Sequence, residues 1–279
     1  MYDIIATDLA GGHPLIDGLP HLAALPIEGS AIPLSRVLAL SGDEEQLIEA
    51  ERLGMGTQLA SEDLARRDVL LQMSWYDDPI PDNLALVLFD MGGVVVKNIH
   101  MLGKIARTYG LDREQFFTDY RHYEFPLMEG SISEEQYWRR ASEHFGIEVE
   151  GNPFSDAFKP VFNDEMVSLI TRLRERGVRV VCASNTIDSH WNILKDMGAL
   201  DLFDATYASH ILGCSKPKWR FHRLILDTEG VAIHRSYFVD DSEENVASSR
   251  RMGLSSLLYR DVPAVSASER LASAFSLLP

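Results

Sequence analysis

Polar residues stand where apolar runs end. Asp90 closes "LALVLF", Ser184 closes "VRVVCA", and Asp240 with Asp241 closes "SYFV"; Lys216 follows the short run "ATYAS" on a loop. A carboxylate in such a place serves as a nucleophile or as a ligand for a hard cation, and as a nucleophile it needs its charge balanced. With Asp90, the two later acids supply the oxygen donors that Mg²⁺ takes. A hydroxyl at Ser184 and an ammonium at Lys216 would hold phosphate oxygens and offset their charge. Gly92 and Gly93 let backbone groups approach a ligand closely. Nucleophile, cation and oxygen clamp are the parts that aspartyl-phosphate chemistry needs. Each residue alone has a plainer reading: Ser184 as a helix N-cap, Asp240-Asp241 as a strand-to-helix turn, Lys216 as a surface lysine.

For these residues to meet, their strands must lie side by side. The runs 84–89, 178–184, 205–209, 236–241 and "SSLLY" read as strands. Helical patterns separate them, at 164–177, in "NTIDSHWNILKDMG" directly after Ser184, in "KWRFHRLILDTEG" and in "EENVASSRRMG". This alternation implies right-handed crossovers and an α/β fold, a Rossmann-like parallel sheet with helices on both faces. In such sheets ligands bind at the C-terminal ends of the strands, where the polar residues fall. Residues 97–164 carry helical signals with stops at Gly110, Gly130 and Gly146 and no strand pattern; the stretch is too long for a connection and reads as a helical subdomain. The core domain is then 81–96 and 165–279. Residues 1–80 form an extra N-terminal α/β segment, with strands in "YDIIAT", "RVLALS" and "MGTQLA", helices at 43–54 and 62–72, a Pro/Gly-rich loop over 10–33 and a linker over 73–83.

Four stretches in order resemble the motifs of the haloacid dehalogenase (HAD) superfamily: "LVLFDMGGVV", "VVCASN", "CSKPK" and "YFVDDSEEN". The helical stretch after the first matches a C1 cap, a lid over the site. The resemblance implies a nucleophile at Asp90, with Ser184 and Lys216 as catalytic partners. It implies Mg²⁺ as cofactor, held by Asp90, the Gly92 carbonyl and Asp241, with Asp240 supporting. It further implies phosphate contacts from Gly92, Gly93, Ser184, Asn185 and Lys216, with Asn185 and Asn245 in positioning roles. The activity it implies is hydrolysis of a small phosphorylated metabolite, a sugar phosphate among the candidates.

One position departs from the phosphatase pattern. Those enzymes usually carry a second Asp two residues after the nucleophile, to protonate the leaving group; here that position is Gly92. The "DMGGV" form resembles the α-glucose-1-phosphatase-like branch. Losing a general acid costs about 10²–10⁴ in rate unless another group replaces it. His122, Tyr123, Glu124 and Glu129 of the cap are replacements by position; Trp138 and Phe125 read as cap core. Two other readings stay open: a catalytically weak HAD fold used for binding or regulation, and a metal-independent dehalogenase-type hydrolase. The intact Asp240-Asp241 pair favours metal and phosphate over the latter.

The N-terminal segment echoes the core. Residues 37–59 align without gaps on 236–258, which places Ser41-Gly42 on Asp240-Asp241 and Gly54 on Gly253, and "ATDLAGG" echoes "LFDMGG". This reads as a degenerate HAD-like repeat with its metal site lost, set against the bland alternative that any strand–helix–strand unit looks alike. A role in dimer or partner contact is left open. The net charge of −16 repels nucleic acid and anionic membranes, and neither is an expected partner. Arg139-Arg140 and Arg250-Arg251 read as solvated pairs. Two cysteines make no disulfide framework; Cys182 reads as core, and Cys214 in a loop beside a lysine as a core or reactive thiol. No signal-peptide or membrane-span pattern is present, so a cytoplasmic protein is expected.

Overall fold

The computed structural model describes residues 1–11, 13–23, 32–74, 76–260 and 267–276. The chain forms two compact units, Met1–Asp78 and Pro79–Pro279.

In the first unit the strands are β1 (Ile4–Thr7), β2 (His21–Leu22), β3 (Val37–Ser41) and β4 (Gly56–Leu59), with helix α1 (Glu44–Arg52) between β3 and β4 and α2 (Arg66–Leu70) after β4. They make one parallel sheet in the order β2-β1-β3-β4. Ile5, Leu38, Leu40, Val69 and Met73 pack its core. The expected loop over 10–33 thus contains a strand, β2, and 24–31 lie outside the described residues. The expected helix at 62–72 is shorter. The linker begins later than expected: Met73 is fully buried and bridges to Tyr2.

The second unit begins with β5 (Leu86–Phe89) and β6 (Val96–Lys97), followed by cap helices α3 (Leu102–Thr108), α4 (Arg113–Met128), α5 (Glu134–Phe145) and α6 (Pro153–Ala157). The chain then re-enters the core through β7 (Val161–Phe162) and continues as α7 (Asp164–Glu175), β8 (Arg179–Ser184), α8 (Asp188–Asp196), β9 (Ala205–Ala208), α9 (Ser209–Leu212), α10 (Trp219–Glu229), β10 (Ser236–Asp240), α11 (Glu243–Arg251), β11 (Ser255–Leu258) and α12 (Ala267–Ser276). The sheet is parallel in the order β11-β10-β5-β8-β9, with β5 central. Its strands read as unbroken apolar runs because both faces are covered. Val87, Phe89, Val180 and Cys182 point to the face packed by Met166, Ile170 and Leu173 of α7. The alternate residues Leu86, Leu88, Val181 and Ala183 point to Phe221 and Ile225 of α10.

The two sheets share more than a strand order. Leu38 faces Gly56 as Tyr237 faces Ser255, and Ser41 faces Leu59 as Asp240 faces Leu258. Ile5 faces Leu38 as Val87 faces Tyr237, which sets Asp8 at the place of Asp90. The N-caps Asp43 and Ser242 correspond, and Gly54 and Gly253 end the two helices at φ +85 and +88.

The cap has its own aromatic core, in which Trp138 lies 4.7 Å from Phe154 and Tyr137 5.3 Å from it. Phe125 does not belong to it: it is 41% exposed, on the outer side of α4, with the Lys218 ammonium 6.0 Å from its ring. The stretch 97–164 is not strand-free. β6 pairs antiparallel with β7 where the chain leaves and re-enters the core. Buried Asn163 pins that crossing, its side chain donating to the Val94 carbonyl at 2.8 Å. Two arginines expected in solvent are structural instead. Arg250 is buried and donates to the Ser256 carbonyl at 3.2 Å, and Arg140 forks onto Asp119 at 2.8 and 2.5 Å. Cys182 lies in the core as expected. Cys214 is buried too, and burial pushes its thiol up, against a reactive role. Among the described residues no helix is long and apolar enough to cross a membrane.

Candidate active site

Asp90 follows the last residue of β5, and its amide still donates to the Val239 carbonyl of β10 at 2.9 Å. Lys216 reaches it from the loop before α10. The ammonium is 1% exposed and donates to Asp90 Oδ1 at 2.6 Å and to Asp240 Oδ2 at 2.7 Å. A lysine this deep is stable only with such partners. Its backbone is held by Asn185, whose carboxamide accepts from the Lys216 amide and donates to the Lys216 carbonyl, both at 2.8 Å. The side chain of Asn185 is therefore spent on placing Lys216. Asp240 is fully buried and saturated: besides Lys216 it accepts from the Ser242 amide at 2.8 Å and from Asn245 Nδ2 at 3.0 Å. Asp241, one residue past the strand, is exposed.

The glycines after Asp90 have separate reasons. Gly93 has φ +78, and a Cβ there would lie 2.0 Å from Asp241 Oδ2. Only glycine lets that carboxylate come so close. At Gly92 a Cβ would meet Ile99 Cδ1 at 3.0 Å, so a side chain there would press on an apolar neighbour.

Ligand oxygens of Asp90, Asp240 and Asp241 lie within 4.8 Å of one another. Three carboxylates around one ammonium leave an excess of negative charge. Burial pushes the Asp90 carboxyl up to about 8; Lys216 opposes this, and Asp240 and Asp241 add to it. Partial desolvation and then Asp240 push the Asp241 carboxyl up to about 6. Burial pulls the Lys216 ammonium down, but Asp240 and Asp90 outweigh it and hold it above its ordinary value. All-oxygen donors with surplus charge fit a divalent hard cation.

Ser184 ends β8 and is buried, but it is not a helix cap. Helix α8 starts at Asp188 with Ile187 before it, so 185–187 form a loop. Ser184, Asn185, Thr186 and Gly92 line one side of a cavity of about 620 Å³. The cap lines the other. Arg113, Phe117, Tyr120, Glu124 and Met128 recur at three- and four-residue spacing and form one stripe of α4 along it. Of the cap residues considered as acids, Glu124 alone lines this cavity. His122 is exposed; Tyr123 packs against Tyr137, with Arg140 4.3 Å over its ring. Glu129 accepts from the Ser215 amide at 3.1 Å, from its hydroxyl at 2.7 Å, and from Lys218. Burial would raise its carboxyl, but these bonds outweigh it and lower it. Sequence reasoning missed Thr186 and the cations Lys104, Arg107 and Arg113 on the cavity wall. For Arg113 the helical spacing of the α4 stripe was the available signal.

A family model described as haloacid dehalogenase-like hydrolase matches residues 84–253. The chain belongs to this family. The first unit lies outside the match. Over 97 residues the chain is 32% identical to sesquiterpene phosphatase astK of Aspergillus oryzae (strain ATCC 42149 / RIB 40), a match covering 34% of this chain and 50% of that protein. It spans about half the length of that curated relative. Among solved structures, a HAD family enzyme of Bacteroides thetaiotaomicron superposes with a TM-score of 0.56 at 23% identity, covering 62% of this chain and 92% of that one. The same enzyme has been crystallised in complex with magnesium and inorganic phosphate. A predicted HAD-like family hydrolase of Porphyromonas gingivalis gives 0.55 at 22% identity, over 62% and 90% of the two chains. At these identities the structural likeness speaks to the fold.

Proposed function

We propose that the protein is a phosphohydrolase that cleaves a phosphoric monoester through an aspartyl-phosphate on Asp90. The observation that carries this reading is the bridge from Lys216 to both Asp90 and Asp240 beside Asp241. Asp90 attacks phosphorus in line, the P–O bond to the organic group breaks, and that oxygen leaves with a proton as the alcohol. Water then attacks the phosphorus of the aspartyl-phosphate, the P–O bond to Asp90 breaks, and inorganic phosphate departs. Lys216 balances the charge of the nucleophile and orients it; Ser184 binds a phosphoryl oxygen. Mg²⁺, held by Asp90, Asp241 and the Gly92 carbonyl, would supply Lewis-acid stabilisation of the phosphoryl oxygens. Asp240, saturated by Lys216, Asn245 and the Ser242 amide, supports the cluster from behind.

For the organic group, the apolar part of the cavity wall would take hydrocarbon, beside a polar part that includes Asn98, Lys104, Arg107 and Arg113. Met91, Ile99, Met101, Leu102, Phe117 and Phe158 offer hydroxyls no hydrogen-bond partners. The relative named for a sesquiterpene points the same way. Phosphate release should be measured over prenyl, alkyl and sugar phosphates, with Mg²⁺ and with a chelator, in the wild type and Asp90→Asn. Metal-dependent release, highest on the apolar esters and lost in the variant, is expected. No release from any ester by folded protein would favour a binding role, and metal-independent halide release from 2-haloacids would favour dehalogenation.

We infer that the first unit is a diverged copy of half the core, without its chemistry. Matching strand order and matching registers support this. Asp8 has no acid partner at the places of Asp240 and Asp241, which hold Ser41 and Gly42; Ser41 Oγ donates to it at 3.0 Å. Calorimetric titration of the full chain with Mg²⁺ should saturate at one ion per chain; two would contradict the loss.

A further inference from the structure

We propose that Glu124 of the cap is the proton donor to the leaving group, in place of the acid that Gly92 lacks; this rests on the phosphohydrolase reading above. A leaving alkoxide needs a proton at the moment the P–O bond breaks. The residue two positions after the nucleophile is a glycine and cannot supply it, and Ile99 Cδ1 lies 3.0 Å from where a Cβ would stand. The donor must therefore stand on another wall of the cavity that holds the ester. Gly92 and Ser184 mark the core side of that cavity, and Glu124 lies on its cap side.

Glu129 and His190 are engaged elsewhere. Glu129 is bound by Ser215 and Lys218 and kept ionised, which suits a cap-to-core tie and not an acid. His190 lines the cavity, but its ring stacks 3.9 Å from that of Phe158, and burial pulls its pKa down to about 4. It is neutral at working pH. Glu124 is half-buried, and burial pushes its carboxyl above the ordinary value. Arg121 on its own helix opposes this, and Glu244 from the first turn of α11 adds to it. Tyr120 stands one turn away on α4, and the titratable groups sharing the cavity are His100, Lys104, Arg107, Arg113 and His190. A carboxyl raised above its ordinary value, on the cap wall of the cavity that Gly92 and Ser184 also line, is placed as a general acid requires.

The proton balance closes over the cycle. Glu124 gives its proton to the ester oxygen as that oxygen leaves phosphorus, and becomes a carboxylate. It then takes a proton from the water that attacks the aspartyl-phosphate, which restores the acid.

The test uses the full chain with Mg²⁺, Glu124→Gln against wild type, on decyl phosphate and p-nitrophenyl phosphate. Nitrophenolate leaves without needing a proton; decanol does not. The alkyl-to-aryl ratio of kcat should fall by about 10²–10⁴ in Glu124→Gln, with the alkaline fall of kcat on decyl phosphate removed. Glu124→Asp should recover part of the ratio. Equal losses on both esters would mean a packing role and would overturn the proposal, as would an unchanged ratio. A wild type inert towards both esters would overturn the phosphohydrolase reading, and this one with it.

Discussion

Replacing Lys216 with methionine keeps the apolar stem and removes the ammonium that Asp90 Oδ1 and Asp240 Oδ2 bind at 2.6 and 2.7 Å. At an effective dielectric of about 20, each contact is worth roughly 6 kcal/mol of gross Coulomb attraction. The net loss is smaller. The wild type loses the hydration of its ammonium on folding, and in the variant Asp90, already pushed up to about 8, takes up a proton more readily. Removing one partner of a buried pair then leaves a net cost of about 3–5 kcal/mol. For a domain of this size, 1 kcal/mol moves Tm by about 2–4 °C, so the transition of the second unit should fall by about 6–20 °C in chelator. In saturating Mg²⁺ the deficit should shrink, because the cation neutralises the same carboxylates. Thermal unfolding of both proteins followed by circular dichroism, with chelator and with Mg²⁺, checks this. A shift below about 3 °C in chelator, or an equal deficit with Mg²⁺, would refute the picture of one ammonium balancing a metal-binding acid cluster.

Two further outcomes follow from the same geometry. Asp90 and Asp241 have folded-state values of about 8 and about 6 against 3.8 unfolded, so the native state binds more protons across that interval. Metal-free stability should therefore fall as pH rises from 3.8 towards about 8, and denaturant midpoints at pH 5 and pH 8 in chelator test the sign; a rise would contradict it. Glu129→Gln removes the charge that ties the end of α4 to Ser215 and Lys218, a bond set of about 1.5–3 kcal/mol for hydrogen bonds to a charged group. Amide exchange should quicken at residues 126–133 and 213–218 with the aromatic cap core unchanged; unaltered protection would show that the tie holds nothing.

Much of the core was legible because its signals are local. Strands β5, β8 and β10 of the second sheet are apolar runs closed by a polar residue, so Asp90, Ser184 and Asp240 could be set on one edge without coordinates. The likeness of 37–59 to 236–258 was visible as a gapless alignment, but only strand pairing shows Ser41 opposite Leu59 as Asp240 is opposite Leu258. Misreadings came where tertiary contacts overrule local pattern. Arg250 and Arg140 look like surface charges until Ser256 and Asp119 are placed beside them. Phe125 looks like core until α4 turns it outward. β6 and β7 are too short to carry a periodicity, and they form because the two chain crossings meet.

The order of the elements, the identity of the acid cluster and the vacancy left by glycine at position 92 were properties of the sequence itself. They rest on residue type and on periods of two and 3.6. Which cap residue shares a cavity with that glycine was not. Glu124 and Glu129 are five residues apart on one stretch of chain, yet one lines the cavity and the other is bound to the core. That difference depends on how the cap helices dock on the sheet edge, a matter of long-range packing that no local pattern encodes.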